Sequence, residues 1–521
     1  MSVGMLDREA GVLQKRALRQ CSILSAGDTA VCDQHAVDAG VNSFDLMRRA
    51  GKSVATEICR RWAPWRVLVA CGPGNNGGDG YICATELREL GWDVTVAALG
   101  DPQQLKGDGL RAYRSWSAEV QALDSADPAD YELVIDALFG AGLDRPLQGV
   151  AAGFAEMLAS SGAIVVAVDL PSGQPGDRAQ PDGVSLRADL TVTFHTAKLA
   201  HCLEPAAAAC GELTVVDIGI PDGWQNQAKP VALINAPELW AGQLPGLSVS
   251  THKHERGRLV VFTGGASATG AGRLAAESGL RSGAGLVTLA SPVDAIEVNA
   301  AQSTAVMVRP WAGGHESEAL LSACRADAAV IGPGCGVGAA TKQAVESVLT
   351  GRAAAVLDAD ALTSYERDLP DLFDSLRPGD VLTPHRGEFE RVFPGLMEQS
   401  AHKLEAARRA AEKAGCTVLL KGPDTVIASP GRTAVINRHA APQLATAGSG
   451  DVLAGLIGGL MAQGMDGFDA ACAAAWLHGD AGRRHGDGLI AESLLDALVP
   501  ARNALKARLQ RQTAQQRLMG R

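Results

Sequence analysis

Residues 66–81 read RVLVACGPGNNGGDGY, and the way this stretch divides sets the fold class. Residues 66–70 are a short apolar run, which reads as a buried strand. It ends at once in glycines, a proline, two asparagines and an aspartate, and a helical stretch is expected from about residue 81 to 90. Strand, glycine-rich turn and helix in that order are the setting of a phosphate-binding turn, because the first helical N–H groups face an anion. The spacing is not that of a GxGxxG fingerprint, and the lysine of a P-loop is missing. Asn75, Asn76 and Asp79 add side-chain oxygens suited to a ribose or a cation. A plain tight turn is the other reading, and it does not need so many Asn, Gly and Asp residues together.

Working outward, residues 25–62 carry apolar side chains at helical spacing (Val37, Phe44, Leu46, Met47, Val54, Ile58). Further strands are expected at 94–99, 133–137, 164–169, 190–194 and 213–217, the earlier ones separated by helical segments. Apolar strands alternating with helices predict a doubly wound, largely parallel α/β sheet, with ligands at the C-terminal strand ends. Asp136 in VIDALFGAGLDRP and Asp169 with Ser172 in VAVDLPSG fall at such ends. Oxygen ligands converging from several strands suit a hard monovalent or divalent cation. Asp136 as a helix cap or a partner of the glycine-rich loop is the alternative. The pattern weakens between residues 220 and 250, and the domain boundary is expected near 235–250. A second series follows, with strands at 258–262, 286–289, 328–331, 354–357, 381–383 and 417–420. The last hundred residues read as largely helical. The first 20 are polar and expected to be loosely ordered, and the basic tail after Pro500 is expected to be a frayed helix.

In that second series, residues 445–455 read ATAGSGDVLAG, a loop opening into an apolar helix. Gly448 and Gly450 allow close backbone approach to a ligand, and the helix start faces an anion. A carboxylate beside a bound phosphate is repelled, so Asp451 makes sense as a base on a nearby hydroxyl while the N–H groups hold the phosphoryl group. An N-capping aspartate is the alternative. Lys421 to Thr425 also follow a strand and could hold phosphates.

A length of 521 residues implies two or three domains. Hydrophobic content of 46% with 20% charged residues is that of a globular protein, and a net charge of −11 argues against a broad nucleic-acid surface. Eleven cysteines with no CxxC pair read as reduced thiols of a cytoplasmic protein. His252 and His254 have no second ligand cluster, so no zinc site is expected. The N-terminus is too polar for a signal peptide, and no apolar run is long enough for a membrane span. Small-molecule substrates are expected, with no nucleic acid or membrane partner and a homo-oligomeric assembly.

GPGNNGGDG, DALFGAGLDRP, DLPSG and TFHTAKLAH closely resemble the NAD(P)H-hydrate epimerase family, the YjeF N-terminal domain, over residues 21–235. The resemblance implies a Rossmann-like fold that inverts the C6 carbinol of hydrated nicotinamide, NAD(P)HX, with bound potassium. Carried over by motif, Asn75, Asn76, Gly77, Gly78 and Asp79 would contact the hydrated dinucleotide. So would Gly140, Ala141, Gly142, Leu143, Asp144, Arg145 and Pro146, together with Asp169. Asn76, Asp136 and Ser172 would ligate potassium. Lys198 and Asp169 are the candidates for proton transfer or ring stabilisation, with a surface lysine as the other reading of Lys198.

HKHERGRLVVFTGG, SGLRSGAGLVTLASP, VIGPGCG, VLDADALT, LTPHRGEFERVF, VLLKGPDTVIASP and ATAGSGDVLAG follow in order. Together they resemble the ADP/ATP-dependent NAD(P)HX dehydratase, which has a ribokinase-like fold, over residues 250–501. The resemblance implies that Gly272, Gly334, His385 and Asp451 contact NAD(P)HX. Lys421, Gly422, Pro423, Asp424, Thr425 and Gly450 would hold the nucleotide. A core histidine is the other reading of His385. TPHRGE, where the family has TPHPGE, and Cys335 in GPGCG depart from the pattern. The implied reaction is phosphorylation of the C6 hydroxyl by ADP, with magnesium as the nucleotide's metal, then loss of phosphate to give NAD(P)H, with AMP released. Two other readings stand beside this one: a ribokinase-like small-molecule kinase, and a non-catalytic Rossmann-like binding module in the first half.

Overall fold

The computed structural model describes residues 19–246 and 252–519. The chain divides between Leu233 and Ile234 into two compact units.

The first unit is built on a seven-stranded parallel sheet. In chain order its strands are β1 (Ser22–Leu24), β2 (Arg66–Cys71), β3 (Asp93–Ala98), β4 (Val120–Ala122), β5 (Leu133–Ala137), β6 (Ile164–Val168), β7 (Leu190–Phe194), β8 (Ala197–Lys198), β9 (Glu212–Val216) and β10 (Ala232–Ile234). The sheet runs β4-β3-β2-β5-β6-β7-β9, and every neighbouring pair is parallel. Strand order reverses between β2 and β5, which opens a crevice at their C-terminal ends. Along β2, Val67, Val69 and Cys71 enter one core and Leu68 and Ala70 the other, as the two-residue period requires. Helices Ser43–Arg61 and Asn75–Glu89 cover the first face, and Gly149–Ser161 covers the second. Outside the sheet, β1 pairs antiparallel with β10 and parallel with β8, in the register Leu24 to Lys198. These strands are two or three residues long, too short for a periodic signal in the sequence.

The helix after β2 begins at Asn75, six residues earlier than the sequence suggested. Its glycines serve contact with the sheet more than turn geometry. A Cβ on Gly77 would lie 2.0 Å from the Gly72 carbonyl oxygen, and one on Gly80 2.6 Å from the Ala137 Cβ. Only glycine lets the helix start descend this far onto β2 and β5.

The second unit carries β11 (Arg258–Phe262), β12 (Leu286–Ser291), β13 (Met307–Pro310), β14 (Ala328–Ile331), β15 (Ala354–Leu357), β16 (Val381–Leu382), β17 (Thr417–Leu420), β18 (Thr425–Ala428) and β19 (Val435–Asn437). Their order is β13-β12-β11-β14-β15-β16-β17-β18-β19. Pairing is parallel up to β17 and antiparallel from β17 to β19. Helix Ser449–Ala462 is buried on nearly every side, which accounts for a sequence that is apolar all round. It rests on helix Thr269–Arg281 through Gly455, where a Cβ would fall 2.0 Å from the Ala275 carbonyl oxygen.

Two expectations are corrected here. The division, expected near 235–250, falls just before that range, and residues 235–246 belong to the second unit. Asn235 donates to Asn437 Oδ1 (2.9 Å) and to the Cys472 carbonyl (2.7 Å), and accepts from Trp240 Nε1 (2.9 Å). Trp240 is 1% exposed and meets the Trp476 ring edge-on at 6.1 Å. The chain after Pro500 is no frayed end either, since helix Ala491–Met519 runs through it. Leu494, Leu498, Ala501 and Leu505 form one buried stripe, and Arg508 donates to Glu238 at 2.6 Å. The expectation that the first 20 residues are loosely ordered lies, for residues 1–18, outside the described residues. Among the described residues no helix is long and apolar enough to cross a membrane.

Candidate active sites

At the crevice of the first unit lies a cleft of about 780 Å³. Asn75, Asn76, Asp79, Gly140, Ala141, Gly142, Leu143, Asp144, Arg145, Asp169 and Lys198 all line it. Lys198 is not a surface residue. It is 1% exposed, and its ammonium donates to Asp169 Oδ1 (2.6 Å) and Thr193 Oγ1 (2.8 Å). Asp169 ends β6 with φ +67, a left-handed conformation that costs a non-glycine residue energy. Its carboxylate also accepts from the Ala141 N–H (2.9 Å) and the Thr193 hydroxyl (2.8 Å). Burial pushes this carboxyl up, but the charge and hydrogen bond of Lys198 and the Ala141 N–H outweigh it and hold it at about 2. His201, wholly buried, joins the pair from behind: Nδ1 accepts the Lys198 N–H (2.9 Å), which leaves Nε2–H for the Asp169 carbonyl (2.8 Å). His201 stood inside the TFHTAKLAH motif without a role assigned to it.

Gly140 shows how tightly the loops close. A Cβ there would lie 2.9 Å from Asp169 Oδ2 and 3.0 Å from Asn76 Oδ1. Asn76 Nδ2 is buried with no hydrogen-bond partner, a donor left for a ligand. Gly77, Gly78 and Pro146 do not line the cleft; the two glycines serve helix packing. Asp136 and Ser172 lie outside its lining as well. Ser172 donates to Asp136 through its N–H (2.7 Å) and its hydroxyl (2.6 Å), and Leu138 N–H adds a third bond (3.2 Å). Sequence reasoning missed Asp33 and His195, which line the cleft from helix Ala26–Asp38 and from the end of β7. Neither belongs to a glycine-rich motif. Burial lowers His195 to about 4, with the charges of Arg19 and Lys198 adding to the effect.

In the second unit, Gly448 is the N-cap of helix Ser449–Ala462, so Asp451 sits in the first turn and is not the cap. Burial, with the charges of Asp358, Asp360 and Glu388, pushes Asp451 up to about 7 against the pull of Lys421. Lys421 donates to Asp358 Oδ1 at 2.8 Å and lies 3.7 Å from Glu388 Oε2. Burial draws its pKa down, yet Asp358 and Glu388 more than restore it, so the amine stays charged. A Cβ on Gly450 would lie 3.6 Å from Lys421 Nζ, which puts this ammonium beside the helix start. The site thus joins a cation, exposed helix N–H groups and a carboxyl poised near neutrality.

The rest of the 421–425 turn is occupied with itself. Asp424 accepts from Lys403 (2.6 Å), and the Thr425 hydroxyl bonds the Gly422 carbonyl (2.7 Å). Pro423 shares that turn, so Lys421 is its polar side chain open to a ligand. His385 is not a core residue: its side chain is 54% exposed, and it caps helix Arg386–Val392 by accepting the Glu388 N–H (3.1 Å). Gly272 is buried against Thr263, and Gly334 makes a turn at φ +70. Cys335 Sγ lies 3.7 Å from the Phe262 carbonyl oxygen.

Each unit holds a paired lysine and aspartate at the C-terminal edge of a parallel sheet, one candidate site to a unit, the arrangement of a fused two-site α/β enzyme. Bifunctional NAD(P)H-hydrate repair enzymes from Thermofilum pendens and Moorella thermoacetica are 35% and 37% identical to it, over 90% and 88% of this chain and 93% and 92% of their own. The chain belongs to the family of bifunctional NAD(P)H-hydrate repair enzymes. Residues 43–200 match the family model of the YjeF-related protein N-terminus, and residues 259–498 that of NAD(P)H-hydrate dehydratase. A solved ADP/ATP-dependent NAD(P)H-hydrate dehydratase from Bacillus subtilis, co-crystallised with ATP/Mg2+, is 27% identical, covering 52% of this chain and 98% of its own at a TM-score of 0.45.

Proposed function

We propose that residues 21–235 interconvert the C6 epimers of NAD(P)HX in the Lys198–Asp169 cleft, and that residues 250–501 dehydrate one epimer at the Asp451 helix start. The observation that carries the second assignment is Asp451, raised to about 7 beside the charged Lys421. There Asp451 takes the proton of the C6 hydroxyl, the oxygen attacks the terminal phosphoryl group of ADP, and AMP leaves. Lys421 and the helix N–H groups receive the charge that develops on the phosphoryl oxygens. Phosphate then departs from C6, and loss of a ring proton restores NAD(P)H. Hydroxide is a poor leaving group at neutral pH, and phosphorylation removes that obstacle. Magnesium would arrive with the nucleotide, held by its phosphates and by water, because the described residues contain no ready cluster of three or more His, Cys, Asp or Glu ligands.

Beside the epimerase cleft, where the cleft-lining Phe139 donates its N–H to Ser172 Oγ (2.9 Å), the residues present fit potassium. Asp136 is 0% exposed and accepts only neutral donors, with no cation beside it among the described residues. Burial pushes it up to about 6 even against those hydrogen bonds. Asp136, Ser172 and Asn76 would hold the ion, which offsets the buried carboxylate and the pyrophosphate of the substrate. The free thiols, including exposed Cys59, suit a reducing, cytoplasmic compartment.

Chiral separation of NADHX epimers incubated with the protein tests this reading. We expect the epimers to equilibrate without ADP, and NADH, AMP and free phosphate to appear only with it. A stable phosphomonoester would instead mark a kinase. Potassium should raise the unfolding temperature of the wild type and not of Asp136→Asn; equal shifts in both would overturn the metal assignment.

A further inference from the structure

We propose that Asp33 is a catalytic base of the epimerase cleft, taking and returning the proton of the C6 hydroxyl while Lys198 serves the ring nitrogen. The inference rests on the epimerase reading of this unit and goes beyond it by adding a second proton-transfer group.

Helix Ala26–Asp38 turns one face to the cleft, carrying Thr29, Ala30, Asp33, Gln34 and Val37 at helical spacing. Its placement relative to Lys198 is set by backbone bonds. It leaves directly from β1, whose Leu24 is paired with Lys198, through the Ser25 cap. The Ala26 N–H adds a bond to Asp177 Oδ1 at 2.8 Å. Among the described residues the Asp33 carboxylate accepts no hydrogen bond and enters no ion pair, although it lines the same cleft as Lys198.

Two other carboxyls that line the cleft, Asp169 and Asp79, are less suited to act as a base. Asp169 is engaged by three donors and held at about 2, too acidic to keep a proton near neutral pH. Burial, with the charges of Asp169 and Asp33, raises Asp79 well above the ordinary carboxylate range, which disfavours its charged form. Asp33 keeps an exposed edge, yet desolvation by the surrounding protein raises it to about 6, Lys198 pulling it down and Asp169 pushing it up. The cleft also carries Asp108, Asp144, Arg145 and His195.

The substrate's chemistry calls for two such groups. C6 of the hydrated ring bears both a hydroxyl and the ring nitrogen, so it is a carbinolamine. Removal of the hydroxyl proton by Asp33 lets the oxygen form a C6 carbonyl as the C6–N1 bond breaks. The electron pair of that bond goes to N1, which takes a proton from Lys198. The ammonium has three N–H donors, and Asp169 and Thr193 use two. Rotation about C5–C6 turns the other face of the aldehyde to N1. The nitrogen adds back and returns its proton to Lys198, and the oxygen regains its own from Asp33. Both protons come home, no oxidant or reductant is needed, and only the configuration at C6 has changed.

The test uses the full chain and the variants Asp33→Asn and Asp33→Glu, with ADP-dependent dehydration in the second unit as the control for folding. Asp33→Asn should lower the kcat of epimerisation about 10²–10⁴-fold, while KM moves by less than about threefold and dehydration is unchanged. The wild-type rate should fall with acid through about pH 6, where Asp33 gains its proton, and Asp33→Asn should lose that limb. Asp33→Glu should recover part of the rate. Near-normal kcat in Asp33→Asn, or a loss confined to KM with the acid limb intact, overturns the role of Asp33 alone. A wild-type chain that leaves the epimers unequilibrated overturns the epimerase reading itself and the Asp33 role with it.

Discussion

Asp451 shows how a single residue acquires its function from its surroundings. An exposed aspartate is a weak base, with a pKa of about 4. Here burial comes first among the influences that raise it to about 7, followed by the Asp358 charge. A base works in its deprotonated form, so dehydration should rise with pH through about 7 and level off above it. Asp451→Asn should reduce dehydration by about 10²–10⁴-fold and abolish this titration. Nucleotide affinity, measured by calorimetry, should stay near wild type or improve slightly, because a carboxylate beside the phosphates has gone. Tight binding with near-normal turnover would remove Asp451 from the role of base.

At the scale of elements, glycines decide how closely helices approach their supports. Helix Ser449–Ala462 carries Asp451 in its first turn, and Gly455 sets its distance from helix Thr269–Arg281. The Cβ of an alanine at 455 would meet the Ala275 backbone, which cannot swing aside as a side chain would. Gly455→Ala should therefore destabilise the second unit by about 1–3 kcal/mol, the usual cost of overpacking, read as a lower denaturant midpoint. Dehydration should weaken too, since the helix start moves with the helix. An unchanged midpoint would mean that the two helices separate without cost.

For the molecule as a whole, the division falls at Leu233/Ile234, not in the following Pro- and Gly-containing stretch. A fragment beginning at Ile234 keeps the Trp240 ring and the Asn235 hydrogen bonds of the second unit. A fragment beginning at residue 245 loses them. Loss of a buried tryptophan costs about 3–5 kcal/mol, so the shorter fragment should unfold at clearly lower denaturant and retain less dehydratase activity. Equal stability of the two fragments would show that residues 234–244 contribute nothing to that core.

Much of this was legible in the residues themselves. Periodicity located the long parallel strands, because strands buried on both faces are continuous apolar runs. Glycine-containing strand ends pointed to Asp169, Lys421 and Asp451, because such ends mark the places where ligands bind, and the family resemblance added Lys198. Local pattern stops at contacts between residues distant in the chain. It could not place β1 beside β8, and so could not bring Asp33 into the cleft of Lys198. Nor could it separate glycines that meet a ligand from Gly77 and Gly80, which meet the sheet. The sequence by itself determined the class of sheet and the two motif sets, since these follow from residue type and spacing, and the resemblance of those motifs to a known family carried the chemistry. Only the tertiary structure decided which carboxyls are paired, which are raised by burial, and which remain free to move a proton, because those properties depend on neighbours that the chain brings together from far apart.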